Sequence, residues 1–443
     1  MRSFLVIAAL AVQLFAQTPA AVSPELDRRV RAEMGFLASD AMQGRGSAGP
    51  YEAAAAEYLA AEMLAMGLTP AGDNTNGGRS FIQQVPFKES KILGNPMLAA
   101  GDQTWTHGKD IAVNILSGTK IAGPLEFWAD GKPIKKGSVV FLTGPNARKQ
   151  VREVMQAGAV ATLIGYSETS KQRFERLLKE SPELVASIAY NNAYLSPAAT
   201  ESLQKVAEGT TITFTAEAQT IERMTRNVIG MIAGQTDAAI TVSAHFDHLG
   251  VAGSGPDTIY NGADDDASGT VTVLELARAL VAKGKPKRTV YFILFGSEEL
   301  GGVGSKYFEE HPPLPIEKIV ADIQFEMLGQ PDPKVAPAML WITGFDRSDL
   351  GPTLKQHGAS VAADPYPDQN FFQRSDNYSL AKRGIVAHTV SSYALHPQYH
   401  QPNDDIAHID FTHLERSIAS MTAPLEWFMN SDFKPQWLPG KKP

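Results

Sequence analysis

From Arg226 onward the chain alternates short apolar runs with helical stretches, and that alternation restricts its architecture more than any other feature. The runs "NVIGMIAG", "AAITVSA", "RTVYFILFG" and "KIVADIQFEM" are each bounded by turn residues, and "SGTVTVLELARALVA" separates the second from the third. Val271, Leu274, Leu280 and Val281 of that stretch fit a helix laid on a sheet. Such alternation specifies an α/β layer, a mostly parallel, mixed sheet flanked by helices on both faces. Active sites of these sheets collect at the carboxyl ends of the strands.

Acids and histidines stand at those ends. The run closing near Ala244 delivers His245 and Asp247 within "SAHFDHLG", and "GADDDASG" follows with Asp265 at its centre. "FGSEELGG" presents Glu298 and Glu299, "QFEM" ends at Glu326, and "YHQPNDD" carries His400. Gathering Asp265, Glu298, Glu299 and Glu326 in one partly dry cleft raises their pKa values by repulsion and desolvation, at about 1.4 kcal/mol for each pH unit of that rise. Bound divalent cations remove the conflict. The chain contains no cysteine, which excludes disulfides, thiolate metal sites and a cysteine nucleophile. Carboxylates with imidazole and no thiolate suit zinc, with manganese or cobalt as alternatives, and the histidines argue against a calcium or magnesium cage.

Taken singly, each motif has an ordinary explanation. "HFDH" reads as a satisfied strand-end histidine, and "GADDDASG" as a helix entry with acids at the positive end of the dipole and Ser268 as cap. "SEE" reads as a solvated turn and "YHQPNDD" as a loop. Their occurrence together and in order, each closing or following a strand, is what those explanations leave unexplained.

The ordered set "AHFDHLG", "NGADDDASG", "FGSEELGGVGS", "IQFEM" and "YHQPND" resembles the M28 family of secreted zinc aminopeptidases, over roughly residues 226–410 and more weakly over the N-terminal helices. The resemblance implies a zinc-peptidase, phosphorylase/hydrolase-like fold and a co-catalytic pair of zinc ions. His245 would ligate one ion, Asp265 would bridge both, and Glu326 would complete the first set; Glu299 and His400 would hold the second ion. Asp247 would bond the other ring nitrogen of His245 and fix its tautomer, a role that His-x-Asp spacing suits because alternate strand residues share a face. Glu298 would be the general base, taking a proton from the attacking water and returning it to the leaving amine. The chain departs from the family pattern at Glu326, where many members carry aspartate, and at Asn377 in "RSDNYSL", where relatives often carry histidine. His248 is expected to be a hydrogen-bonded neighbour outside the ligand set, Asp264 and Asp266 to shape the turn and cap the helix, and Tyr393 and His396 to be candidates for a specificity pocket.

Residues 1–20 read as a signal peptide, with an apolar stretch too short to span a bilayer. Residues 21–92 are expected to begin the peptidase domain, with a helix started by Ser23 and Pro24 and another over residues 50–66 closed by Gly67. Residues 93–221 change character. The segment "GSVVFLTG...VMQAGAVATLIGY" is similar to protease-associated domains, and a small β-rich inserted domain is expected there, with residues 222–443 forming the main domain.

The formal net charge of -8 and the lack of a basic run give no reason to expect a nucleic-acid partner. No segment after the leader is long enough for a membrane helix. The chain has no G-x-S-x-G elbow and no phosphate-binding glycine loop. The expectation is a secreted or periplasmic zinc aminopeptidase acting on peptides with a free N-terminus. A carboxypeptidase or dipeptidase of the same fold, or a non-catalytic binding protein that keeps the fold, is the alternative. A glutaminyl cyclase would use one zinc rather than two.

Overall fold

Each apolar run is a strand buried on both sides. In Arg288–Phe295, Val290, Phe292 and Leu294 join one apolar cluster while Tyr291, Ile293 and Phe295 join another. That is the two-residue alternation of a pleated strand, and a strand covered on both faces loses the polar-apolar rhythm of a surface strand. The computed structural model describes residues 22–178, 182–184, 191–253 and 255–443; the leader expected over residues 1–20 lies outside them. Two units are distinguished, Met1–Phe87 with Met224–Pro443, and Lys88–Arg223.

In the first unit the strands lie in the order Val361–Ala363, Leu340–Ile342, Val386–Ser391, Ile319–Glu326, Thr236–His245, Arg288–Phe295 and then residues 224–232 of the strand Thr211–Ile232. The four central strands, from Val386–Ser391 to Arg288–Phe295, are mutually parallel. Flanking these four, Leu340–Ile342 runs antiparallel to Val386–Ser391 and parallel to Val361–Ala363, and Thr211–Ile232 runs antiparallel to Arg288–Phe295. Register brings the strand ends level: His245 pairs with Phe295, and Glu326 with Ser391.

Helices Pro24–Leu37, Pro50–Ala65, Gly269–Val281 and Phe411–Asn430 contribute to the larger apolar cluster. Val303–Glu310 and Asn377–Lys382 place Phe308, Leu380 and Ala381 in the other. The helix starts follow local chemistry: the Ser23 hydroxyl accepts the Leu26 N–H at 3.1 Å, with Pro24 in the first turn. Past Ala65, Gly67 takes a φ of 86°, the left-handed conformation that ends a helix cheaply only at glycine.

The second unit is also built around β-strands. Lys120–Phe127, Val139–Leu142, Ala161–Ile164 and Asn192–Leu195 form a parallel run that continues antiparallel into Ile111–Leu116. Apolar clusters cover it, one around Phe141, Leu163 and Phe214 and another around Val140, Ile164 and Phe174. Among the described residues of the whole chain, no helix is long and apolar enough to cross a membrane.

Candidate metal centre

The strand Thr236–His245 ends at His245, so Asp247 belongs to the loop beyond it rather than to the strand face. Its carboxylate still reaches to 3.6 Å from His245 Nδ1. Asp247 also accepts the backbone N–H of Glu298 at 2.8 Å and of Glu299 at 3.3 Å, and the Ser47 hydroxyl at 2.6 Å. One buried carboxylate therefore ties the first strand end to the turn that carries both glutamates. That turn is gripped from below as well. Glu52, in the helix Pro50–Ala65, accepts the hydroxyls of Ser297 and Thr225, each at 2.8 Å. Ser297 has a φ of 53°, an unfavourable conformation for a residue with a side chain, which these bonds hold in place.

The acid triplet lies between the strand Thr236–His245 and the helix Gly269–Val281, and its three members do different things. Asp266 accepts the N–H groups of Gly269 and Met327, both at 3.0 Å, so it caps the helix and ties it to the end of the strand Ile319–Glu326. Asp264 accepts the Gly329 N–H at 2.6 Å and meets His396 Nε2 at 3.2 Å. Ser268 is not a side-chain cap; its hydroxyl bonds back to Asp264 and accepts the Leu328 N–H. Asp265 alone turns into the cluster, steadied by Asp404, which accepts the N–H groups of Asp264 and Asp265 at 2.9 and 3.1 Å.

Around Asp265 the five residues expected as ligands come together. His245 Nε2 is 3.3 Å from one Asp265 oxygen, and His400 Nε2 is 3.1 Å from the other and 3.3 Å from Glu299 Oε1. His245, Asp265 and Glu326 each offer an atom within 4.8 Å of one another, and so do His248, Asp265 and Glu299. Asp265 is common to both groups. His248 is nearer than expected, its Nδ1 lying 2.9 Å from Glu299 Oε1 and 3.8 Å from Asp265.

The electrostatics are strained. Burial pushes Glu298 well above the usual carboxylate range, with Asp376, Glu326 and Glu299 adding repulsion, and burial also raises Glu326. Burial would raise Asp265 too, but hydrogen bonds from His245 and His400 hold it well below its ordinary value. Burial opposes a charge on His245, yet Asp247 and Asp265 keep that imidazole protonated well above its usual range. Both ring nitrogens of His245 and of His248, and Oε1 of Glu299, are buried and make no hydrogen bond outside the cluster among the described residues. A buried polar atom left unpaired costs about 1–3 kcal/mol. Imidazole nitrogens and carboxylates converging on two points satisfy one another through divalent cations, and a set of this composition fits zinc.

An open cavity of about 510 Å³ adjoins the cluster, lined by its acids and by Met327, Trp341, Phe371, Arg374, Tyr399 and others. Neither Tyr393 nor His396 is part of that lining, because the His396 ring is turned onto Asp264. Asn377 is fully buried, bonding Gln324, Thr389 and the backbone of Phe372, which gives it a place in the scaffold rather than against a substrate.

Some supporting residues carry no signal of their own in the sequence. Gln324 donates to Glu326 at 3.3 Å and to Ser375 at 2.5 Å. Arg45, fully buried, donates to the carbonyls of Phe246, Leu37, Asn261 and Gly262 and so locks the loops beneath the cluster. Asp404 had a signal, since it sits within "YHQPNDD" beside His400.

Residues 227–423 match the model of Peptidase family M28. Over 201 residues, 42% of this chain and 51% of the relative, the sequence is 29% identical to "Leucine aminopeptidase 1" of Metarhizium robertsii. Over 192 residues, 38% of this chain and 42% of the relative, it is 29% identical to "Leupeptin-inactivating enzyme 1" of Streptomyces exfoliatus. The chain thus spans about half the length of the curated relatives it matches. Among solved structures, an aminopeptidase from Aneurinibacillus sp. strain AM-1 shares the fold with a TM-score of 0.57 at 19% identity, covering 92% of this chain and 95% of that one. BSAP, a zinc aminopeptidase from Bacillus subtilis, does so with a TM-score of 0.54 at 18% identity, covering 92% and 96%.

Proposed function

We propose, from the match of residues 227–423 to the model of Peptidase family M28, that the chain is a zinc aminopeptidase, releasing the first residue of peptides that have a free N-terminus. The observation that carries this reading is Asp265, the one carboxylate common to two groups of potential ligands. In this reading His245, Asp265 and Glu326 hold one zinc ion, and Asp265, Glu299 and His400 hold the other. His400 is preferred to His248 because its Nε2 lies within 3.3 Å of both acids, whereas His248 Nδ1 is close to Glu299 only. Bound there, the ions would supply Lewis acidity to the attacking water and the scissile carbonyl.

The chain's own groups do the rest. Glu298 lines the cavity beside the ligands. Its carboxylate takes a proton from the attacking water and delivers it to the leaving nitrogen, a transfer favoured by burial, which raises its pKa above the usual carboxylate range. Asp247 is a positioning residue that orients His245 from behind and, through two backbone N–H groups, sets the directions of Glu298 and Glu299. The leader expected over residues 1–20 makes this a secreted or periplasmic enzyme.

The test compares leucyl anilide with its N-acetyl derivative, each with and without a chelator. Hydrolysis of the free amine alone, abolished by the chelator, is expected. Cleavage of the acetylated compound would contradict the aminopeptidase reading, and purified protein without bound transition metal or hydrolysis would favour a binding protein of the same fold.

A further inference from the structure

The cavity beside the ligand cluster is lined by four carboxylates, Asp265, Glu298, Glu299 and Glu326, and by a single guanidinium, that of Arg374. Arg374 follows the short turn Phe371–Gln373 and precedes the helix Asn377–Lys382. Its guanidinium carbon sits 5.0 Å from the centre of the Phe371 ring, itself part of the lining. Its charge is also felt at Tyr399 on the cavity wall, opposing the influence of Asp265, Glu299 and Glu326 on that hydroxyl.

The guanidinium lacks the carboxylate partner that three other arginines of this unit have. Arg29, Arg31 and Arg278 each pair with a carboxylate at 3.2 Å or less. Among the described residues, no carboxylate lies within 4.0 Å of the Arg374 guanidinium. If zinc ions offset the four acids, as the proposed function requires, Arg374 remains an unneutralised charge facing bound substrate. The neighbouring wall is apolar at Met327, Trp341, Phe371 and Ala394, so it supplies no competing anion. Contact with a ring face restrains a guanidinium, and a restrained guanidinium can present two parallel N–H groups that match a carboxylate.

We propose that Arg374 recognises a carboxylate of the substrate close to the scissile bond. That carboxylate is either the side chain of an N-terminal Asp or Glu, or the free C-terminal group of a dipeptide. The proposal rests on the aminopeptidase reading for the position of the bond, and its test separates the two sources.

The zinc-loaded full chain and its Arg374→Gln and Arg374→Lys variants are assayed on two matched pairs, glutamyl against glutaminyl anilide and leucyl-glycine against leucyl-glycinamide. In wild type the charged member of one pair is expected to have the higher kcat/KM, and Arg374→Gln to lower that charged-to-neutral ratio at least tenfold, with partial recovery in Arg374→Lys. The pair that responds names the source. A ratio equal in wild type and Arg374→Gln for both pairs overturns the proposal. Calorimetric binding of dipeptide analogues with a methylene-amine in place of the scissile amide, free or amidated at the C-terminus and with Glu or Gln first, gives the same comparison without turnover. If none of the four substrates is cleaved the aminopeptidase reading fails, and the binding ratios still decide the role of Arg374.

Discussion

Glu298 and Glu299 are neighbours in sequence, yet they are assigned different tasks, and it is backbone geometry that separates them. The strand Arg288–Phe295 ends, Ser297 turns through a positive φ, and Asp247 takes both following N–H groups, so the two side chains leave the turn in different directions. Glu299 meets His248 and His400, while among the described residues no histidine nitrogen lies within 4.0 Å of Glu298, which lines the cavity. Glu298→Gln should therefore retain its zinc while kcat falls about 10²–10⁴-fold, the usual contribution of a general base. Metal analysis alongside steady-state kinetics checks both halves, and turnover at the wild-type rate would remove Glu298 from the mechanism. The two histidines that face Glu299 make a sharper contrast. His400→Ala should bind about one zinc fewer per chain than wild type, whereas His248→Ala should keep both, since only His400 touches both acids closely. The reverse stoichiometry would move the second ion to His248.

The helix Pro24–Leu37 shows how an element far from the chemistry is held. Arg29 pairs with Glu275 at 2.8 Å, and Glu33 meets Arg278 at 3.0 Å, with Arg278 also 3.2 Å from Glu62. Glu33 is 4% exposed, and burial, with repulsion from Glu275, pushes its pKa from 4.5 up to about 8 despite Arg278. A carboxyl raised in the folded state binds its proton more tightly there than in the unfolded chain. The stability so gained is complete below about pH 4.5 and is lost as pH rises through about 8. Glu33→Gln removes that dependence. Its melting temperature relative to wild type should rise steadily between pH 5 and pH 9, by the equivalent of about 1.4 kcal/mol for each pH unit by which burial outweighs the pull of Arg278. Parallel melting curves across that window would show Glu33 ionised throughout. This cluster also marks where sequence reasoning stops. Strands, helix caps and the order of strand-end ligands were legible because each depends on a few adjacent residues: Ser23 with Pro24, Gly67 after its helix, His245 at the end of an apolar run. Gln324 was not legible, because its contacts exist only through registers that pair it with Ser243 on one side and Thr389 on the other. Arg45 was hidden for the same reason, since its four carbonyl partners come from segments more than 200 residues apart in part. Tyr393 and His396 misled in the opposite way: nearness in sequence to His400 said nothing about which way the loop turns their rings.

At the scale of the molecule, every proposed ligand belongs to Met224–Pro443, while Lys88–Arg223 has its own apolar clusters. Metal binding should therefore stabilise one unit and leave the other alone. Ligands that bind only the folded state stabilise by RT ln(1 + [L]/Kd), about 2.7 kcal/mol at a free concentration a hundred times Kd. For a unit of this size that raises the melting temperature by roughly 5 °C or more. Removing the ions also restores repulsion among the buried acids, which widens the difference in the same direction. Differential scanning calorimetry should show two transitions, of which the chelator lowers one and readdition of zinc restores it, with hydrolysis of leucyl anilide lost and regained in step. A single transition that moves as a whole would mean that the two units unfold cooperatively. Two transitions that both ignore the chelator would mean that the cluster around Asp265 holds no metal worth a measurable fraction of the fold's stability, and the peptidase reading would fall with it.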